Sequence, residues 1–515
     1  MKTLAKLAIL TTIFWTLFNC SSDSDSDGDG DILPKVSIAA TNSTAEEPGT
    51  NSSFKLTLTG ASSSATTVTL NINGSATNGE DYQAISNTAT IPANTTSFTI
   101  PLTIIDDLET EGDETVEIEI IEVSSNAIIG NPNSAAITIS EIPEDFILQA
   151  ENTPNYMVNP NATAETVALF YNLKTLSRTK FIVGQQDAFS SFYNNNSGDS
   201  DIKKTTGSDP GLIGLDFMFI TDDQNDGSSG NWFYQQEQQI TSHAIEAYNK
   251  GMVVGFTWHL REPYEGEHFY TSEMTEFQKN NAFKSILPGG ANHDYYKEKL
   301  NKVGEVANNM IGSDGKKVPF IFRPFHEFDG NWFWWGEAYC TAQEFKTAWQ
   351  FTVTYLKDTL SVDNILFAFA PDNQFNSSVE YLSRYPGDAY VDILGMDNYG
   401  DFNNQGQSGV TAANNKLKIV SDLAKEKVKI AALTETGYFV TPGENNPISN
   451  FYSTNLYNAI SENNNHVAYM MFWSNSENTY CTPAPGQSDV TDFIEFTDKP
   501  KSTLENELPD MYSLP

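Results

Sequence analysis

Three patterns of apolar and polar positions follow one another along the chain. Behind Lys2 and Lys6 lies a mainly apolar run from Leu7 to Phe18. It is too short to span a bilayer, and with its positive flank it reads as an export signal. From about Pro34 to Ile142 apolar and polar residues alternate, as in Phe54-Lys55-Leu56-Thr57-Leu58, Val68-Thr69-Leu70-Asn71-Ile72 and Val116-Glu117-Ile118-Glu119-Ile120. A period of two places alternate side chains on opposite faces of a strand. With Gly, Asn and Asp breaks between the runs, the pattern predicts a small antiparallel sandwich. From about Phe146 short apolar runs alternate with amphipathic helical stretches. Eight runs stand out: Phe181–Val183, Leu212–Phe219, Met252–Thr257, Pro319–Phe325, Ile365–Ala370, Val391–Met396, Lys429–Leu433 and Val467–Phe472. Helical patterns such as Tyr295–Met310 and Thr341–Lys357 lie between them. Eight βα units predict a (β/α)8 TIM barrel with long loops. A doubly wound sheet would carry a Gly-rich phosphate turn after its first strand, and Gly184-Gln185-Gln186-Asp187 is not one. The predicted layout is a signal over 1–20, an acidic tether over 21–33, an all-β sandwich over 34–143 and the α/β barrel over 146–505.

Composition narrows the function classes. The 515 residues hold 29 Lys plus Arg against 67 Asp plus Glu, a net charge of −38. Such a charge repels phosphate backbones and anionic headgroups, which argues against a nucleic-acid partner. Aromatic residues reach 12%, and flat rings suit stacking on the apolar faces of sugars. Three cysteines make no disulfide framework, and no Cys-x-x-Cys pair suggests structural zinc. In an exported protein Cys340 and Cys481, both on predicted loops, are candidates for a pair.

The C-terminal ends of TIM-barrel strands face the active site, and here they are polar and aromatic. They carry Gln185, Gln186 and Asp187; Asp216; Trp258 and His259; Arg323 to Glu327 with Asp329 and the loop Trp332-Phe333-Trp334-Trp335; Asp397, Asn398 and Tyr399; Thr434, Glu435 and Thr436; Trp473, Ser474 and Asn475. Glu327 and Glu435 end strands four and seven, whose tips face each other across the mouth. Their carboxylates are placed to approach to about 5 Å, the spacing of a retaining glycosidase pair. Arg323 is expected in a buried ion pair that positions carboxylates. Trp334 and Trp335 suit wedging a loop as well as touching sugar, and no chemistry is assigned to Asp216 or Asp397.

Residues 150–505 resemble a glycoside hydrolase family 26 catalytic domain, in particular a β-mannanase. The resemblance is carried by Arg323-Pro324-Phe325-His326-Glu327, Asp329-Gly330-Asn331-Trp332-Phe333-Trp334-Trp335-Gly336, Gly184-Gln185-Gln186-Asp187, Ile286-Leu287-Pro288-Gly289-Gly290, Tyr385-Pro386-Gly387-Asp388, Asp397-Asn398-Tyr399 and Thr434-Glu435-Thr436-Gly437. It implies Glu327 as the acid/base and Glu435 as the nucleophile, with no metal or organic cofactor for catalysis. His259, His326, Trp332, Tyr399 and Trp473 match substrate-binding positions. Tyr399 would aim the Glu435 carboxylate, and His326 would orient the acid or the sugar. Many relatives carry Arg just after the eighth-strand Trp, where this chain has Ser474 and Asn475. The implied partner is a β-mannan polysaccharide or oligosaccharide. Mixed-linkage β-glucanases and β-1,3-xylanases share the glutamate pair, and a surface glycan-binding protein on a non-catalytic barrel is the reading from another class.

The N-terminal regions carry two further resemblances. Leu17 three residues before Cys20, followed by a Ser/Asp/Gly run to Asp31, resembles the signal of a Bacteroidetes surface lipoprotein. That implies lipidation of Cys20 and an outer-membrane anchor, with plain secretion as the alternative. Gly79-Glu80-Asp81-Tyr82 and Ile104-Ile105-Asp106-Asp107, followed by Glu109, Glu111, Asp113 and Glu114, resemble a Calx-beta domain. The resemblance implies Glu47, Asp81, Asp106, Asp107 and Glu114 as Ca2+ ligands, since Ca2+ takes six to eight hard oxygens. An acidic solvated loop on a spacer domain is the other reading.

Overall fold

The computed structural model describes residues 33–47, 51–105, 112–141, 146–441 and 444–515, without the side chains of 46, 47 and 141. The leader, Cys20 and the tether up to residue 32 lie outside the described residues.

Among the described residues, nine strands build the N-terminal sandwich. One sheet holds β1 (Lys35–Ala40), β3 (Ser52–Leu58), β6 (Ser97–Leu102) and β8 (Ile128–Ile129) in the order β6-β3-β1-β8. The other holds β2 (Thr44–Glu47), β4 (Thr66–Gly74), β5 (Thr88–Ile91), β7 (Glu114–Val123) and β9 (Ser134–Glu141) in the order β2-β9-β7-β4-β5. Period-two patterning holds residue by residue: Phe54, Leu56 and Leu58 are buried while Lys55 and Thr57 are exposed. Each such large side chain taken fully from water contributes about 1.5–3 kcal/mol. The sheets are mixed rather than purely antiparallel, because β1–β8 and β2–β9 pair in parallel. The first segment crosses from one sheet to the other between Ala40 and Thr44, so each half lies beside a late strand running the same way.

Eight parallel strands close the second domain: β10 (Phe181–Gln186), β11 (Leu212–Asp216), β12 (Val253–Thr257), β13 (Phe320–Arg323), β14 (Ile365–Phe369), β15 (Ile393–Asp397), β16 (Ile430–Thr436) and β17 (Val467–Phe472). Each pairs with the next, and β10 pairs with both β11 and β17, so the sheet is a closed barrel. A short β18 (Ser502–Thr503) adds to the start of β10. Barrel strands are buried on both faces, which is why they read as continuous apolar runs. Gly214 lets the barrel fill: a Cβ there would collide with the Gln186 side chain and with Met471 Sδ.

Two runs end earlier than their hydrophobicity predicts. β11 stops at Asp216, whose Oδ1 accepts from the Met218 amide at 2.8 Å and turns the chain. β13 stops at Arg323, because Phe325 and Glu327 both take left-handed backbone angles (φ 50° and 53°). The helix predicted over Thr341–Lys357 spans Ala342–Thr354, with Thr341 as its N-cap in a capping box with Glu344. A wider turn, Tyr355–Thr359, follows it. The other named helix spans His293–Asn309. Among the described residues no helix is long and apolar enough to cross a membrane.

Candidate active site

Glu327 owes its aim to a strained corner. Two non-glycine residues at positive φ within three positions cost of order 1–3 kcal/mol each and persist only where surroundings enforce them. Enforcement comes from the Glu327 amide, which donates to the Ala370 carbonyl at the end of β14 at 2.9 Å. It also comes from Trp335, whose Nε1 donates to the His326 carbonyl at 2.6 Å. Trp334 and Trp335 are fully buried, and Trp334 Nε1 donates to the Leu260 carbonyl. They wedge the loop and are not sugar platforms.

Glu435 sits inside β16. Tyr399 donates its hydroxyl to Oε1 at 2.8 Å, and Arg323 Nη2 donates to Oε2. Arg323 Nη1 pairs with Asp397, whose other oxygen accepts from Thr434 Oγ1 at 2.6 Å. The expected buried ion pair is thus a three-residue network, with Arg323 only 3% exposed. One carboxylate oxygen each of Glu327, Asp397 and Glu435 lie within 4.8 Å of one another. Such a trio has the donor set of a cation site, but the Arg323 guanidinium already supplies positive charge to two of the three.

The environment of Glu327 favours its protonated form. Burial first, then the charges of Glu435, Asp397 and Asp372, push Glu327 well above the usual carboxylate range; a hydrogen bond from Trp332 Nε1, 2.5 Å from its Oε2, opposes them. Glu327 is therefore the group that retains a proton near neutrality. Asp372 is itself pushed up to about 7 by burial and by Asp329. Burial, Arg323 and His259 drive His326 far below its ordinary value, so its ring is neutral. Its Nδ1 has no partner among the described residues.

The remaining sequence candidates gather here as well. The His259 ring lies 4.7 Å from that of His326 and 5.9 Å from that of Trp473. Trp332 and Trp473 are half-buried, Trp332 against Glu327 and Trp473 beside His259. Asn475, by contrast, is consumed internally: Nδ2 donates to Asp201 and to the Thr482 carbonyl, and Oδ1 accepts from the Cys481 and Thr482 amides. Asp329 braces the next loop by accepting from the Asp372 and Gln374 amides.

Two aromatic residues escaped the sequence reading. Tyr270 is 42% exposed and stacks on Phe333 at 5.4 Å; burial, then the charges of Glu327 and Glu435, raise its phenol. Phe439 is 46% exposed and stacks on Tyr399 at 5.8 Å. Both lie on loops whose course is set by non-local contacts, such as the Tyr270–Phe333 bridge, so no periodicity marks them.

Cys340 and Cys481 do not pair; both are free and buried. Cys340 packs against Arg384 (Sγ to Nη1 3.4 Å), whereas Cys481 packs against Gly437. Of the suggested Ca2+ ligands, Asp106, Asp107 and the Glu47 side chain lie outside the described residues. Asp81 is buried and accepts from the Thr77 amide, bracing a turn that seats Tyr82 in the sandwich core. Glu114, the other described member, opens β7.

Comparison with known proteins identifies both domains. Residues 29–143 match the Calx-beta domain model, and residues 158–482 match that of glycosyl hydrolase family 26. The mannan endo-1,4-beta-mannosidase of Bifidobacterium adolescentis is 32% identical over 357 residues, 67% of this chain and 35% of that protein. The chain thus spans about a third of that relative's length. GH26C of Muricauda sp. MAR_2010_75 shares 64% identity and a TM-score of 0.71, covering 72% of this chain and 99% of that one. A double mutant of the Cellulomonas fimi endo-beta-1,4-mannanase shares 29% identity and a TM-score of 0.64, covering 69% and 79%. With the family model matched across most of the barrel and the two glutamates at its mouth, the chain belongs to glycosyl hydrolase family 26.

Proposed function

We propose that this chain is a retaining endo-β-1,4-mannanase, hydrolysing mannan, galactomannan or glucomannan at the cell surface. The observation that carries the mechanism is the glutamate pair, with carboxylate oxygens within 4.8 Å of each other and Glu327 raised by its surroundings. That spacing suits double displacement and leaves no room for the water of an inverting enzyme. Support for mannan comes from the activities of the named relatives. Surface anchoring rests on Cys20 and the acidic tether, and Ca2+ binding by the sandwich rests on the Calx-beta match.

In the first step Glu435 attacks the anomeric carbon while Glu327 gives its proton to the departing glycosidic oxygen. The glycosyl ester that forms has no charge on Glu435, so the second cause lifting Glu327 disappears. Glu327 is then ready to take a proton from water, which attacks the same carbon and restores the original configuration. Arg323 keeps Asp397 as its partner throughout, so no buried cation is stranded.

Digestion of galactomannan, glucomannan, mixed-linkage glucan and β-1,3-xylan, followed by NMR, tests the reading. Mannan cleavage with first release of the β-anomer is expected. Cleavage only of glucan or xylan would reject the substrate while keeping the glutamates. An absence of cleavage throughout would favour a glycan-binding role.

The pH profile gives a signed test. The acid works protonated, so kcat/KM falls as pH rises through the Glu327 value. Trp332→Phe removes a donor that favours ionised Glu327 and should move this alkaline limb to higher pH. Asp372→Asn removes a negative neighbour and should move it to lower pH. Shifts of the same sign in both variants would refute the assignment of Glu327 as the acid.

A further inference from the structure

Asp216 has the geometry of a residue that dictates a neighbour's protonation. It ends β11, and β11–β12 pairing sets it opposite Thr257, two residues before His259. Its Oδ2 lies 2.5 Å from His259 Nδ1. Its Oδ1 accepts from two backbone amides, those of Met218 at 2.8 Å and His259 at 3.2 Å. Burial pushes the carboxyl up, but the His259 ring and these amides outweigh it and hold Asp216 below its ordinary value. An ionised carboxylate has no proton to give, so the proton of this hydrogen bond belongs to His259 Nδ1. In the neutral imidazole Nε2 then carries a lone pair. Among the described residues Nε2 has no partner, and the ring stands in the wall formed with His326, Phe269 and Trp473.

We propose that Asp216 is a positioning residue that fixes the His259 tautomer, so that Nε2 meets a sugar hydroxyl as a hydrogen-bond acceptor. The proposal rests on the glycosidase reading of the same site. It makes the pocket specific for a hydroxyl donor at that point and gives Asp216 a role without contact to substrate. The logic parallels a buried carboxylate orienting an imidazole elsewhere in enzymology, where the amide replacement yields the wrong tautomer.

Asp216→Asn tests this with little change of shape. The two backbone amides need an acceptor, so the asparagine oxygen must take the Oδ1 position. Its NH2 group then faces His259 Nδ1, forcing Nδ1 to accept and the proton onto Nε2. In the 15N-histidine-labelled parent chain, at a pH high enough to leave the ring neutral, Nδ1 should be protonated and Nε2 unprotonated, and Asp216→Asn should exchange the two signals. On mannan kcat/KM should fall about 10- to 100-fold, as expected when a buried acceptor is turned into a donor against a fixed hydroxyl. In a His259→Ala background the same substitution should cost less than about twofold, since coupled residues are non-additive. A parent with the proton on Nε2, an Asp216→Asn variant within twofold of the parent, or an equal loss without His259 would each overturn the proposal. Failure of the glycosidase reading would look different: the parent would cleave no polysaccharide, while the nitrogen signals would still report the tautomer.

Discussion

Glu435→Ala is expected to lower kcat by about 10⁴- to 10⁶-fold, the loss typical of removing a nucleophile whose partners act as a unit. The fold should persist, because Arg323 retains Asp397 and the neighbouring strand is buried along its length. Azide supplies the sharper readout. In Glu435→Ala it can occupy the space left by the carboxylate, attack from that face and give the α-mannosyl azide. In Glu327→Ala, Glu435 still forms the glycosyl ester, and azide attacking that ester gives the β-azide. NMR of the two products therefore assigns the faces independently of rate. Turnover of Glu435→Ala within tenfold of the parent would mean that another group attacks, and identical azide anomers from both variants would reverse the roles assigned here.

Arg323→Met should destabilise the protein by about 3–5 kcal/mol, the cost of removing one member of a buried charge network. It leaves Asp397, Glu435 and Glu327 crowded at the barrel mouth with no cation among them. The loss should depend on pH with a definite sign. Burial already holds Asp397 and Glu327 above their ordinary values, and for Asp397 Arg323 is the main opposing influence. Without it the folded-state value of Asp397 rises further above the unfolded one, so the folded protein binds more protons than the unfolded chain. Stability then falls as pH rises from the ordinary carboxylate range through the elevated values. Urea midpoints should show a parent-to-variant gap that is larger at pH 8 than at pH 5. Equal gaps at the two pH values would mean that Arg323 acts by packing alone.

The two domains were legible for different reasons. Sandwich strands bury one face, so Phe54, Leu56 and Leu58 alternate with exposed neighbours. Barrel strands bury both, so β17 reads as the unbroken run Val467–Phe472. Polar residues at the ends of such runs are costly unless used, which is what exposed Glu327, Glu435, Tyr399 and His259 to a sequence reading. The loops were less legible. Tyr270 and Phe439 have no local pattern that distinguishes them from packing aromatics. The separation of Cys340 from Cys481 depends on where two remote loops pack, and the parallel pairs of the sandwich depend on a crossover at Ala40–Thr44.

Residue type and local periodicity by themselves determined the strands, the order of the domains and which carboxylates stand at strand tips. These follow from burial, which acts on each residue whatever lies far along the chain. Tertiary structure alone decided the partnerships. Asp216 and His259 are 43 residues apart, and Arg323 and Glu435 are 112 apart. They meet because barrel closure and strand register bring their tips together. The left-handed turn at Phe325 and Glu327, held by Ala370 and Trp335, then aims the acid. Protonation states belong to this second level, because they depend on which charges share a buried space, and sequence distance carries no record of that.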